Sequence, residues 1–260
     1  MPAKMFQAKA KVLNNKRVKE HYFHCALRLP EISRIVGPGQ FVNIKTTEGL
    51  QPLLRRPLSI YRAKGVNIEI LYEVVGKGTQ LLSQKKSGEI LDIIGPLGNG
   101  FNLRVTKLPV LVAGGIGVAP LLFLAERLVA SKPLVLIGAR TKDHILCEKE
   151  LKKLGCSVKI ATDDGSRGYK GKVTELLKHL LPTINYKLST IYACGPKPML
   201  RTIAEISKSR KIPAQISMEE HMACGIGACL GCVIKTKEGY KRVCKEGPVF
   251  DVKEVIWEGI

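Results

Sequence analysis

The sequence predicts an α+β chain of several domains: an antiparallel β-barrel at 1–104, a doubly wound parallel α/β unit at 105–213, and a small C-terminal unit at 214–260. Three observations predict it. The first unit holds short runs of alternating polarity separated by Gly, Pro and Asn, the pattern of antiparallel strands. From residue 110 onward, continuous apolar runs alternate with helix-like stretches, as strands buried on both faces do. Near the C-terminus four of the eight cysteines, Cys224, Cys229, Cys232 and Cys244, crowd into one Gly-rich segment.

In the barrel, residues 22–27, 40–44 and 67–74 read as strands, and the only helical stretch is a turn or two after Gly78-Thr79. Arg55-Arg56-Pro57-Leu58-Ser59-Ile60 falls where a strand should start. Alternation puts Arg56, Leu58 and Ile60 on one face and Pro57 and Ser59 on the other. A guanidinium fork suits a pyrophosphate. Gly76-Lys77-Gly78-Thr79 opens the short helix, and free N–H groups at a helix start also suit phosphate. Each signal alone is weak, because an Arg pair is usually a solvated face and Gly-Lys-Gly usually a turn. Together, in a barrel ahead of a parallel sheet, they point to FAD.

In the second unit, residues 110–113, 134–137, 158–161, 191–193 and 216–218 read as buried strands, with helices around 121–128, 173–181 and 199–206. Gly114-Gly115-Ile116-Gly117-Val118-Ala119-Pro120 follows the first strand and opens a helix. It departs from G-x-G-x-x-G, yet serves a similar purpose: Gly115 and Gly117 let backbone approach phosphate, and Pro120 suits a first helical turn. Cys194-Gly195-Pro196-Lys197-Pro198-Met199 makes a second such turn. Both lie at carboxyl ends of parallel strands, where open α/β sheets bind ligands. A third such end carries Thr162-Asp163-Asp164-Gly165. Asp163 or Asp164 would accept from a ribose 2′-OH and repel a 2′-phosphate, favouring NADH, although a plain Asp-Gly turn fits as well. Cys194 stands either near a nicotinamide or as a buried spectator.

The cysteine spacing is C-x4-C-x2-C-x11-C. Its first part is the plant-type spacing of a [2Fe–2S] cluster, and the interleaved glycines suit a loop that brings bare N–H groups to sulfur. Four-cysteine zinc sites usually carry two C-x2-C pairs, and this segment has one; zinc and ordinary buried thiols remain the alternatives.

Composition sets the outer bounds. The 42 basic and 22 acidic residues give a net charge of +20, spread without an Arg-rich block or aromatic interleaving. That excludes the known nucleic-acid readers and points to anionic cofactors and an acidic partner face. The longest uncharged stretch, 110–125, is broken by glycines and a proline and is too short to span a bilayer. No apolar leader opens the chain, so a cytoplasmic protein is expected, with Cys25, Cys147, Cys156 and Cys194 as free thiols.

The strings R-P-L-S, G-K-G-T, G-G-I-G-V-A-P-L, C-G-P-K-P-M and C-G-I-G-A-C-L-G-C together resemble the ferredoxin–NADP reductase superfamily. Met218-Glu219-Glu220-His221-Met222-Ala223, Val243-Cys244-Lys245-Glu246-Gly247-Pro248-Val249-Phe250 and Gly95-Pro96-Leu97-Gly98-Asn99-Gly100-Phe101 bring the resemblance closer to one branch. That branch is the electron-transfer subunit of NAD-dependent (class 1B) dihydroorotate dehydrogenase. The resemblance implies that Arg56, Pro57, Leu58 and Ser59 bind FAD, with Leu71, Tyr72 and Glu73 lining it and Gly78 and Thr79 at its pyrophosphate. Cys224, Cys229, Cys232 and Cys244 would ligate [2Fe–2S]. It further implies an FMN-containing catalytic subunit as partner in a heterotetramer of two of each, serving pyrimidine (UMP) synthesis. Electrons would arrive at the cluster one at a time, pass to FAD and leave as hydride to NAD⁺, with no protein acid or base required. An NAD(P)H reductase subunit of a ferredoxin- or hydrogenase-linked complex shares all three modules and is the alternative.

Overall fold

A computed structural model of the protein describes residues 5–103, 108–183 and 189–258. β1 (Phe6–Lys19) and β2 (Tyr22–Arg28) form a hairpin, and one turn of helix, α1 (Pro30–Ser33), leads to β3 (Phe41–Lys45) and β4 (Arg56–Ser59). β5 (Arg62–Lys64), β6 (Asn67–Glu73), helix α2 (Lys77–Ser83) and β7 (Ile90–Leu97) complete the unit. The strands make one antiparallel sheet in the order β4-β3-β7-β1-β2-β6-β5. Its two edges, β4 and β5, are joined by Ile60 and Tyr61 alone, a reach of about 11 Å at most. The sheet must therefore curl until its edges approach, which gives the expected barrel. Inside it, alternate residues such as Val12, Leu27, Ile68, Ile70 and Ile93 are fully buried.

The second unit runs β8 (Leu108–Gly114), α3 (Val118–Arg127), β9 (Leu134–Ala139), α4 (Glu148–Lys153), β10 (Ser157–Thr162), β11 (Tyr169–Lys170), α5 (Val173–Leu180), β12 (Ser189–Cys194), α6 (Lys197–Arg210) and β13 (Ala214–Ser217). Its long strands lie in the order β10-β9-β8-β12-β13, all parallel. The chain winds outward from β8 in one direction and then from β12 in the other. The crevice of a doubly wound sheet opens at this reversal, above the carboxyl ends of β8 and β12.

Strand alternation divides the core. Val110, Val112, Leu134, Leu136, Ile191 and Ile216 face α5 and α6; Leu111, Ala113, Val135, Ile137 and Tyr192 face α3 and α4. In α3 every residue from Val118 to Ala125 is buried, which explains its continuous apolar sequence.

The C-terminal residues add a hairpin, β14 (Val233–Thr236) and β15 (Gly239–Arg242), and a return strand, β16 (Val249–Asp251). β16 pairs antiparallel with β13 and becomes an edge of the parallel sheet. The sheet thus runs past the expected limit at residue 213, because Ile216 and Met218 share one core with Val112 and Ile191. The expected boundary at 104/105 lies outside the described residues. Cys232, Ile234, Val243, Cys244 and Phe250 are buried in that same core, so the last unit borrows the sheet's hydrophobic interior. Among the described residues no helix is long and apolar enough to cross a membrane.

Candidate functional site

The four cysteines gather in two pairs. Cys224 and Cys229 share a side-chain hydrogen bond, and Cys224 Sγ also accepts from the backbone N–H groups of Ala228 (3.3 Å) and Cys229 (3.4 Å). Cys232 and Cys244 form the second pair, with Cys244 N–H donating to Cys232 Sγ at 3.4 Å. Among the described residues no three His, Cys, Asp or Glu side chains converge as a single ion would need. Two thiols for each of two irons is the donor set of a [2Fe–2S] cluster, and a four-thiolate zinc site would need all four at one point.

Backbone shape supports the same donor set. Gly225 and Gly227 adopt φ of +70° and +86°, and Leu230 is in the left-handed region at +59°. A leucine held there is strained, and it turns the chain between Cys229 and Cys232. Burial opposes ionisation of Cys224, but the N–H groups of Ile226, Cys229 and Ala228 pull its thiol down to about 6. Burial, reinforced by Cys232, pushes the Cys244 thiol up to about 12. Arg242 fastens the loop: Nη1 donates to the Gly227 carbonyl at 2.7 Å, while Nε and Nη2 engage the Glu246 carboxylate as a fork.

A cleft of about 1160 Å³ runs between barrel and sheet, more than the roughly 300–1,000 Å³ of pockets for one small ligand. Arg56, Pro57, Leu58, Ser59, Leu71, Tyr72, Glu73 and Thr79 line one end. The two arginines have different tasks. Arg55 also lines the cleft, but it pairs with the Asp92 carboxylate and donates to the Asp92 carbonyl, which ties it to the barrel wall. Arg56 makes bonds only to the carbonyls of Leu54 and Arg55 (both 3.1 Å) among the described residues, and its guanidinium lies across Gly78. A Cβ at Gly78 would stand 2.0 Å from Arg56 Nε; Gly78 itself lies beneath the arginine and not on the cleft wall. The Thr79 hydroxyl accepts from Val75 N–H and Gly76 N–H and donates to the Gly76 carbonyl, closing the start of α2. Tyr72 points its ring into the barrel, where it stacks on Phe23 and donates to Asn15, so it offers backbone to the cleft.

Gly114, Gly115, Gly117, Cys194, Gly195 and Pro196 line the other end. The glycines have unequal reasons. A Cβ on Gly117 would stand 2.3 Å from the Cys194 carbonyl oxygen, and one on Gly195 2.9 Å from Gly114 N, so these two pack one turn against the other. Gly115, at φ +54°, has open space where its Cβ would be and presents bare backbone. Burial pushes the Cys194 thiol up to about 12, with Ser217 partly opposing that shift.

The two aspartates also separate. Asp163 lines the cleft and pairs with Lys172 at 2.8 Å. Asp164 Oδ1 accepts from Ser166 N–H (3.0 Å) and Oγ (2.7 Å), which makes it a turn residue. Sequence reasoning missed Arg140 and Lys172 beside Asp163, and Glu219, Glu220, His221 and Met222 on the cleft wall. The carboxyl end of β9 was a readable signal for Arg140. The 219–222 segment carried the family resemblance but no sign of a place on the cleft, because Glu220 joins it through an ion pair with Lys197 at the start of α6 (2.6 Å).

Two sequence profiles match the chain: the iron–sulfur cluster binding domain of dihydroorotate dehydrogenase B over 219–256, and an oxidoreductase NAD-binding domain over 111–205. The chain is 43% identical over 259 residues to the dihydroorotate dehydrogenase B (NAD⁺) electron transfer subunit of Desulforamulus reducens, covering 96% of this chain and 98% of that one. It is 41% identical to the subunit of the same name from Caldanaerobacter subterraneus subsp. tengcongensis, covering 97% and 99%. Among solved structures, the NADH-dependent reduced ferredoxin–NADP oxidoreductase superposes with a TM-score of 0.86 at 31% identity, covering 96% of this chain and 91% of that one. A ferredoxin–NADP⁺ reductase from Neisseria gonorrhoeae shares the fold at a TM-score of 0.67 and 19% identity, covering 80% and 92%.

The Arg242–Glu246 fork makes the cluster loop sensitive to acid. The Arg242 guanidinium holds the Glu246 carboxyl down to about 2, against roughly 4.3 in an unfolded chain. A depressed carboxyl stabilises the fold above its unfolded pKa and loses that contribution as pH falls toward the folded one. Glu246→Gln should therefore melt below wild type by a constant margin from pH 7 to 5, and the margin should shrink below about pH 4.5. Thermal melting across that range checks it, and a margin independent of pH contradicts it.

Proposed function

The chain belongs to the electron-transfer subunits of NAD-dependent dihydroorotate dehydrogenase B, within the ferredoxin–NADP reductase superfamily, and on that premise we propose how its residues divide the work. It is an oxidoreductase subunit that carries electrons from its FMN-bearing catalytic partner to NAD⁺ in pyrimidine synthesis. Its cofactors are [2Fe–2S], FAD and NAD, which when bound supply the one- and two-electron chemistry. The chain supplies placement.

Cys224 with Cys229, and Cys232 with Cys244, hold one iron each. Arg56 anchors the FAD pyrophosphate and Gly78 makes room for its guanidinium. Thr79 sets the start of α2 behind it, Pro57, Leu58, Ser59 and Leu71 shape the wall, and Tyr72 and Glu73 contribute the end of β6. Gly115 offers bare N–H groups to the nicotinamide nucleotide. Gly117, Gly195 and Pro196 hold the two turns together beneath it. Cys194, kept protonated by burial, serves as an uncharged wall there and as neither base nor nucleophile. Asp163 receives the adenine ribose. The single observation behind this division is one continuous cleft, walled by the flavin strand, both glycine turns and the 219–222 lead into the cluster loop. The three units are the barrel at 1–104, the nucleotide sheet from 105 and the cluster unit after it, with the second limit moved from 213 to just beyond β13. Cys25, Cys147, Cys156 and Cys194 stand outside the cluster as free thiols, which suits a reducing, cytoplasmic setting. The 31% likeness to a ferredoxin–NADP oxidoreductase keeps a ferredoxin-linked reductase as the second reading.

The isolated chain should pass electrons from NADH to dyes and leave dihydroorotate untouched; adding the FMN-bearing subunit should create NAD⁺-dependent orotate formation. Reconstitution by a ferredoxin in place of that subunit would favour the second reading. Arg56→Ala removes charge-assisted bonds of roughly 1.5–3 kcal/mol, so FAD affinity by fluorescence titration should fall about ten- to hundred-fold. Unchanged affinity removes Arg56 from the site.

NADH should be favoured over NADPH through Asp163 and not through Asp164. Asp163→Ser should narrow the ratio of kcat/KM values with a dye acceptor, whereas Asp164→Ser should leave it unchanged. Equal effects from both substitutions would make the segment a turn and nothing more.

A further inference from the structure

Strand β3 places an asparagine among core residues. Phe41, Val42 and Ile44 are buried, and between them Asn43 is 1% exposed. Its Nδ2 donates to the Cys224 carbonyl at 3.2 Å, a contact 181 residues distant in sequence. Its Oδ1 is buried with no partner. A buried acceptor left unsatisfied opposes folding, and an apolar residue would have avoided that penalty. Asn43 stands directly opposite Pro57 in β4, the strand that carries Arg56, Leu58 and Ser59. On the other side, Gly225 follows Cys224 so closely that a Cβ there would lie 2.4 Å from Asn43 Nδ2. One side chain therefore spans from the flavin strand's neighbour to the first cysteine.

We propose that Asn43 is a positioning residue for electron transfer, fastening the Cys224 backbone to the strand paired with Arg56–Ser59 and so setting the separation between the two redox sites. The proposal rests on the reading that Cys224 ligates the cluster and that β4 lies against FAD. A second tie stands at the other end of the loop, where Asn99 Nδ2 donates to the carbonyls of Lys245 (3.2 Å) and Glu246 (3.0 Å). That tie reaches residues beyond Cys244; Asn43 reaches a cysteine itself. Of the four cysteines, Cys224 begins the loop, so releasing its carbonyl frees the loop's entry from the barrel while the Arg242 clasp on Gly227 persists.

The test uses the FAD- and cluster-loaded chain. Asn43→Asp keeps the shape and sets an acceptor against the carbonyl; Asn43→Ser is too short to reach it. Both should retain iron, sulfide, FAD and NADH–dye turnover. The visible circular dichroism of the cluster should change, and its reduction by NADH in stopped flow should slow roughly ten- to hundred-fold, as misplacement by an ångström can cost. Wild-type dichroism and wild-type cluster reduction in both variants would overturn the proposal. If the charge in Asn43→Asp expels the cluster, Asn43→Ser decides by the same criteria; loss from both would make Asn43 a retention residue and overturn positioning. A wild-type protein without flavin or a reducible cluster would instead overturn the underlying reading.

Discussion

Four thiols can be gathered two and two only if the chain between them folds back on itself, and the C-terminal unit is shaped by that demand. Gly225 and Gly227 take backbone conformations closed to most residues, and Leu230 takes one at a cost. A loop of this kind has no core to hold it. It is held from three directions: Cys232 and Cys244 are sunk into the interior of the parallel sheet, Arg242 clasps the Gly227 carbonyl, and Asn43 grips the Cys224 carbonyl from the barrel. β16 completes the arrangement by returning the chain to the sheet edge beside β13.

The rest of the molecule follows from where those holds come from. The barrel's edges are joined by two residues, so β4 is brought round to face the mouth of the crevice between β8 and β12. At that crevice two glycine turns touch backbone to backbone, with Gly117 against the Cys194 carbonyl. Contact that close lets both turns serve one ligand, and it leaves Gly115 as the open approach. The lead-in to the cluster loop then lies along the same wall, pinned by Glu220 to Lys197. One cleft and one loop are thereby placed on a shared frame.

Much of this was legible in the sequence, for reasons that can be named. Strands 110–113, 134–137 and 191–193 announced a parallel sheet because burial on both faces makes them continuously apolar. The cysteine spacing and the R-P-L-S, G-G-I-G and C-G-P strings marked their positions because the chemistry tolerates few alternatives there. The roles of neighbouring residues were hidden by their dependence on distant partners. Which of Arg55 and Arg56 is held by a carboxylate is decided by Asp92, and which aspartate closes a turn by Ser166. Gly117 reads as a phosphate glycine and does line the cleft; its second reason, close packing on the Cys194 carbonyl, shows only in the fold. Residues 216–218 read as a strand of the parallel sheet, yet the limit set at 213 cut in front of it, because no turn signal marks where the sheet ends and the last unit begins. Asn43 carried no signal at all: a lone asparagine in a barrel strand acquires meaning only through Cys224.

On the proposed reading the four thiols serve two irons in the pairs Cys224 with Cys229 and Cys232 with Cys244, on a loop anchored to both barrel and sheet. Anomalous scattering at the iron edge from crystals of anaerobically prepared protein tests it directly. Two iron peaks close together are expected, one beside Cys224 and Cys229 and the other beside Cys232 and Cys244. A single metal peak equidistant from all four sulfurs, or two irons with the cysteines exchanged between pairs, would contradict it.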